Sequence, residues 1–216
     1  MSYTLQSGLD DLSAVLNENT TVTTTARKTH YNEAVQEFCR FKKWPFLIKD
    51  STDLTEADVA NYPLPSDIRE PGGMVEVTVG ATEYLPAKFN DRLSLDEDDD
   101  GYYYYLNIAY DDRDINFVPT PDSAGDTITM RHYFVPARLT TLTDSFPLPD
   151  FVRRPIAVLA AEFVSRAKRQ HATANNFREL YNQARDEVVV MQAERPTKLP
   201  RRFGYYSKIY SFRKNA

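Results

Sequence analysis

Met74-Val75-Glu76-Val77-Thr78-Val79 alternates apolar and polar residues over the second half of its length, after an apolar start. A period of two is that of a β-strand with one face buried, because successive side chains point to opposite sides of a sheet. Outward from it, the segments 46–49, 83–89, 102–109, 115–118 and 127–135 read as further strands. Glycine and proline punctuate them, at Pro71-Gly72-Gly73, Gly80, Gly101, Pro119, Pro121 and Gly125. Short strands separated by such breaks predict an antiparallel sheet or small sandwich over residues 46–139.

Beyond this block the period changes to that of a helix. Leu5, Leu9, Leu12 and Leu16 recur every three to four residues and predict a short amphipathic helix. A polar stretch with Thr20, Thr21, Thr23, Thr24 and Thr25 reads as a loop. Thr29 is then a candidate cap for a second helix carrying Tyr31, Val35, Phe38 and Cys39, which Pro45 stops. After Pro147-Leu148-Pro149-Asp150, the stripe Val152, Ile156, Leu159, Ala160, Phe163 and Ala167 predicts a third helix. Asp150 is a candidate cap, and the regular helix is expected to begin nearer Pro155, where proline is tolerated. A break near His171 and Thr173 precedes a last helix with Phe177, Tyr181, Ala184, Val188 and Met191 on one side, ended by Pro196 and Pro200. The expected class is α+β: a helical bundle domain from 1–45 and 140–194, an inserted β domain at 46–139, and an extended C-terminal arm at 195–216.

The arm has its own composition. It holds seven basic residues, Arg195, Lys198, Arg201, Arg202, Lys208, Arg213 and Lys214, and no Asp or Glu. Phe203, Tyr205, Tyr206, Tyr210 and Phe212 are threaded among them. The chain as a whole has 26 Lys and Arg, 31 Asp and Glu, and a net charge of −5, so residues 1–194 carry −12. An acidic body repels nucleic-acid phosphates, and only the arm has the sign to meet them. Three readings compete: a solvated terminus, a phosphate-binding arm on DNA, and an arm that docks in a protein groove. Five large aromatics in ten residues favour the third, since solvated tails avoid them and Tyr and Arg dominate interface energetics. Prolines at 196 and 200 are expected to hold the arm's root extended.

The rest of the sequence is poor in chemistry. The single cysteine, Cys39, cannot form an internal disulfide and reads as a core residue. His30, His132 and His171 are scattered without metal-ligand spacing. No nucleophile elbow, P-loop or dinucleotide fingerprint occurs among seven glycines. Asp96-Glu97-Asp98-Asp99-Asp100-Gly101 opens like a calcium loop, but its twelfth position is Asn107 where a bidentate Glu is required. It reads as a solvated hairpin tip, and no metal or cofactor is expected. Tyr102, Tyr103, Tyr104 and Tyr105 follow, and on a strand two face each way, one pair to the core and one to solvent or a partner. The N-terminus lacks a basic start and a continuous apolar run, so no secretory leader or membrane span is expected.

Several short motifs, in order, carry a resemblance over about residue 32 to the end. They are Trp44-Pro45-Phe46-Leu47, Tyr62-Pro63-Leu64-Pro65-Ser66-Asp67-Ile68, Phe117-Val118-Pro119-Thr120-Pro121, the segment 127–136, and Phe146-Pro147-Leu148-Pro149. In these the chain resembles the head–tail connector (adaptor) proteins of tailed bacteriophages. The acidic run at 96–100 and the Thr-rich loop lie outside the resemblance. It implies a structural virion protein without enzymatic activity, in the neck between capsid and tail. It further implies a homo-oligomeric ring, usually of twelve copies, beneath the portal and around a DNA channel. The arm residues named above would then bind the portal protein. Asp96, Asp98, Asp99, Asp100 and Tyr102 are candidates for contact with the next neck or tail protein. The alternative is a DNA-binding accessory module using the basic aromatic tail.

Overall fold

A computed structural model describes residues 3–17, 25–70, 72–89, 101–108 and 113–194. Its elements run α1 (Leu5–Leu16), α2 (Thr25–Phe41), β1 (Ile48–Leu54), β2 (Asn61–Pro63), β3 (Met74–Val79), β4 (Thr82–Pro86), β5 (Tyr103–Ile108), β6 (Arg113–Val118), β7 (Thr127–Tyr133), α3 (Arg153–Ala167) and α4 (His171–Glu194). The α+β class is as expected.

The strands form one curled sheet in the order β1-β7-β3-β4-β5-β6-β2. The expectation of a purely antiparallel sheet is corrected: β4 and β5 run parallel, with Leu85 opposite Tyr103 and Pro86 opposite Tyr104. A parallel pair needs a long return, and the connection between these two strands is long enough to bring the chain back to the same end. By contrast β3 and β4 are joined by a tight two-residue turn at Gly80-Ala81, with Val79 opposite Thr82. Gly80 takes φ +56°, the left-handed conformation such hairpin turns require. The sheet's inner face buries Tyr62, Val77, Val79, Tyr84, Tyr104, Ile115, Phe117, Ile128 and Met130 as one cluster. These come from six strands: Tyr62 on the outermost strand meets Phe117 of the neighbouring β6 at 5.6 Å between ring centroids, and Tyr84 of β4 reaches Phe117 across β5 at 4.9 Å. Pro63 sits on that outermost strand, where its missing N–H breaks no ladder.

The second cluster lies among the helices. Leu5, Leu9 and Leu12 of α1 and Tyr31, Val35, Phe38 and Cys39 of α2 pack with the buried face of α3, and Trp44, Leu47 and Phe134 join them. Thr4 caps α1 by accepting from the Ser7 backbone N–H at 3.2 Å. Gly8 lets α1 approach α2: a Cβ there would fall 2.5 Å from the Tyr31 ring. Tyr31 in turn shares a buried hydrogen bond with Tyr3. Asn32 fastens α2 to the chain returning from the sheet, donating to the Leu139 carbonyl at 2.9 Å and accepting from the Leu139 N–H at 2.8 Å. Cys39 is fully buried, as expected, and burial pushes its thiol up to about 12.

Two helix starts and one position of an apolar stripe differ from the sequence expectation. α2 begins at Thr25, so Thr29 is interior and its hydroxyl donates to the Thr25 carbonyl at 3.1 Å instead of capping. Asp150 belongs to a single 3-10 turn (Asp150–Val152) and caps nothing; α3 begins at Arg153. Pro155 then stands in the first turn, where an absent N–H has no partner to lose. Met191 of the expected apolar stripe is 41 % exposed. It lies at the margin of the buried face of α4, on the side of Leu180, which is also exposed.

Candidate assembly surfaces

α3 is the central helix. Ile156, Leu159, Ala160 and Ala161 are fully buried, and α1, α2 and α4 all pack on it. A carboxylate interrupts this apolar helix: Glu162 has no exposed surface. Its Oε1 accepts from Arg166 Nε, one turn on, at 2.7 Å. Its Oε2 lies 2.7 Å from Arg178 Nε on α4, and Arg178 Nη1 donates to Glu37 Oε1 on α2 at 3.1 Å. One ion-pair chain therefore ties three helices together. Burial alone would lower the Arg178 pKa, but Glu37 and Glu162 more than offset it, and the pKa is raised. A buried charge is tolerated only where partners of this kind replace water.

Beside this chain a cleft of about 500 Å³ opens between α2 and α4, lined by Glu33, Glu37, Arg40, Phe41, Arg138, Arg178, Tyr181 and Arg185 among others. Arg185 is held between two rings, 4.2 Å from the Phe41 centroid and 5.5 Å from that of Tyr181. Guanidinium groups stacked on aromatics and alternating with carboxylates therefore line the cleft. Sequence reasoning did not single out Glu162, Arg178 or Arg185. The available signal was a charged residue inside the stripe of α3 with Arg166 four residues on.

At the junction of sheet and helices, Lys49 Nζ pairs with Asp67 Oδ2 at 2.5 Å, and the buried His132 places Nε2 3.4 Å from Asp67 Oδ1. Burial raises the Asp67 pKa, but the hydrogen bond and charge of Lys49, then those of His132, outweigh it and the net shift is downward. A carboxyl depressed in the folded state contributes stability that is present above its unfolded value, near 4, and is lost as pH falls through the lower folded value. Urea midpoints at pH 5 and pH 3 should therefore drop further for the wild-type chain than for Asp67→Asn. Equal drops would remove Asp67 from the acid response.

Of the tail-side candidates, only Tyr102 is among the described residues. It is 47 % exposed at the end of the sheet, its ring 5.3 Å from that of Tyr84 in a tilted edge contact. Tyr104 is the run's buried member, while Tyr103 and Tyr105 are half-buried on the other face. Asp96, Asp98, Asp99 and Asp100 lie outside the described residues, as do all twelve arm residues from Arg195 to Lys214. Among the described residues no cluster of His, Cys, Asp and Glu could hold a metal ion. No helix among them is long and apolar enough to cross a membrane.

The described residues form an α+β body whose surface clefts are lined by charged and aromatic side chains. The family described as SU10 adaptor protein matches residues 3–202, and the chain belongs to it. This is a phage head–tail adaptor family, the one the sequence resemblance implied. The match starts well before residue 32, so α1 is part of the family body, and it stops at Arg202, short of the aromatics at 203–212. Membership makes the chain a structural bacteriophage protein that interacts with other virion proteins and implies a place in the virion neck. No curated protein matches the chain.

Proposed function

We propose that this chain is a head–tail adaptor that forms a ring, docks on the portal through residues 195–216, and surrounds the DNA channel. The helical domain, 1–45 with 140–194, packs against its copies; the β domain, 46–139, faces the next neck or tail protein. The observation that carries the reading is the course of α4. Its inner face, Tyr181, Ala184 and Val188, is fixed in the helical core, and it runs to Glu194, directly before the cationic aromatic segment. A segment rooted on a rigid helix starts from a defined point, which reduces the freedom lost on docking. Repeated around a ring of about twelve, weak single contacts would add up through avidity. A body of net −12 suits a channel wall that DNA slides past, since it disfavours phosphate contacts. Asp96 to Asp100 and the exposed Tyr102 would meet the tail-side partner. Images of the chain mixed with the portal of its own virus test the reading by whether a ring forms beneath the portal.

A further inference from the structure

We propose that the outer face of α4 is the seat on which the chain's own C-terminal segment rests before assembly. Leu180, Val190 and Met191 are 47, 55 and 41 % exposed there, an unusual concentration of large apolar side chains on one helix. Gln183 and Glu187 continue the same face at three- and four-residue spacing. With Asp186, the last of these residues outline a shallow cleft of about 630 Å³.

The charge of this face is one-sided. Glu179, Asp186 and Glu187 are exposed, whereas the two arginines of the same stretch are turned aside. Arg178 is held by Glu37 and Glu162, and Arg185 lies against Phe41 and Tyr181 with its Nη2 on Asp186 at 2.8 Å. An occupant must therefore bring cations together with apolar rings. Residues 195–216 carry seven Lys or Arg, no acid and five aromatics, and they follow directly on α4. The chain already holds the complement of its own surface.

The reach is sufficient. From Met191 back to Leu180 the helix rises about 17 Å. A chain that reverses over 195–198, in place of the extended root expected from its prolines, would span about 26 Å more by Tyr206. That brings Arg201 and Arg202 level with the acidic turn, and Phe203 and Tyr205 level with Gln183 and Leu180. A tether this short gives an effective concentration in the mM range, so a weak contact is enough to keep the segment seated. The rings would then be covered until a stronger dock displaces them, which limits premature association of free chains. This inference concerns the chain alone and does not depend on portal docking.

Hydrogen exchange of the full chain at low concentration, without portal, is the test. Amides of 201–206 should exchange about five-fold or more slowly than an unstructured peptide. In the double variant Glu179→Lys/Glu187→Lys, and separately in Val190→Ser, that protection should vanish while α3 and β7 amides keep theirs. Tail amides exchanging at unstructured rates in the wild-type chain would overturn the proposal. So would protection that survives charge reversal, or protection that rises with protein concentration, which would assign the seat to a second copy.

Discussion

Removing residues 200–216 should leave a folded, monodisperse chain that no longer sediments with portals. The described core ends before this segment: the last buried side chain of α4 is Val188. The deletion removes none of the described buried side chains, so urea midpoints should fall by no more than the weak contact proposed on α4 contributes. What it removes is Tyr205, Tyr206, Tyr210 and Phe212, each of a type worth about 1–4 kcal/mol when truncated at an interface. Losing several of them across every copy of a ring should reduce portal association by orders of magnitude. Salt separates this from the rival in which the tail binds DNA. Phosphate contacts release counterions, and log affinity would fall with log salt at about 0.9 per phosphate contacted. Docking through aromatic anchors should fall less steeply. Normal co-sedimentation of the truncated chain would place the portal contact elsewhere.

Trp44→Ala should be the most damaging single substitution in the body, costing about 3–5 kcal/mol. Trp44 is fully buried where α2, the start of the sheet and the α3 entry converge. Its ring stacks on Phe38 at 5.0 Å and on Phe46 at 5.6 Å. Its indole N–H donates to the Phe38 carbonyl at 2.9 Å, closing the last turn of α2. Alanine leaves a cavity and an unpaired carbonyl together, and a loss of that size is a large share of a domain's typical 5–15 kcal/mol. Trp44→Phe keeps much of the stacking and loses the hydrogen bond, so its cost should be nearer 1–2 kcal/mol. Urea unfolding of both variants gives the comparison; equal costs would mean that the hydrogen bond, not the packing, is what Trp44 supplies.

The parts of the fold that were legible in the sequence are those set by local period. Val77 and Val79 fall on the buried face of β3, and Leu5, Leu9 and Leu12 on that of α1, because alternation and helical spacing record which side faces the core. What the period does not record is direction. β5 pairs parallel to β4 through a long connection, and nothing in Tyr103 to Ile108 itself distinguishes parallel from antiparallel. The edge of a buried stripe is equally hidden: Met191 has core spacing but falls on the exposed side of α4 with Leu180. Glu162 shows a third limit. A buried carboxylate is intelligible only once Arg166 and Arg178 surround it, and Arg178 comes from another helix. For the proposed sites, composition spoke where geometry did not. The arm was legible as seven cations and five rings after an acidic body, while the acidic, apolar face of α4 emerged only when the helices were packed.

The central claim is that this family member is the joint between portal and tail, and electron microscopy of the purified chain mixed with its own portal tests it most directly. The account predicts a closed ring of chain copies on the tail-facing side of the portal, with C-terminal density running from the end of α4 into the portal and an open central channel. Portals that remain bare at concentrations where the chain is folded and in excess would contradict it.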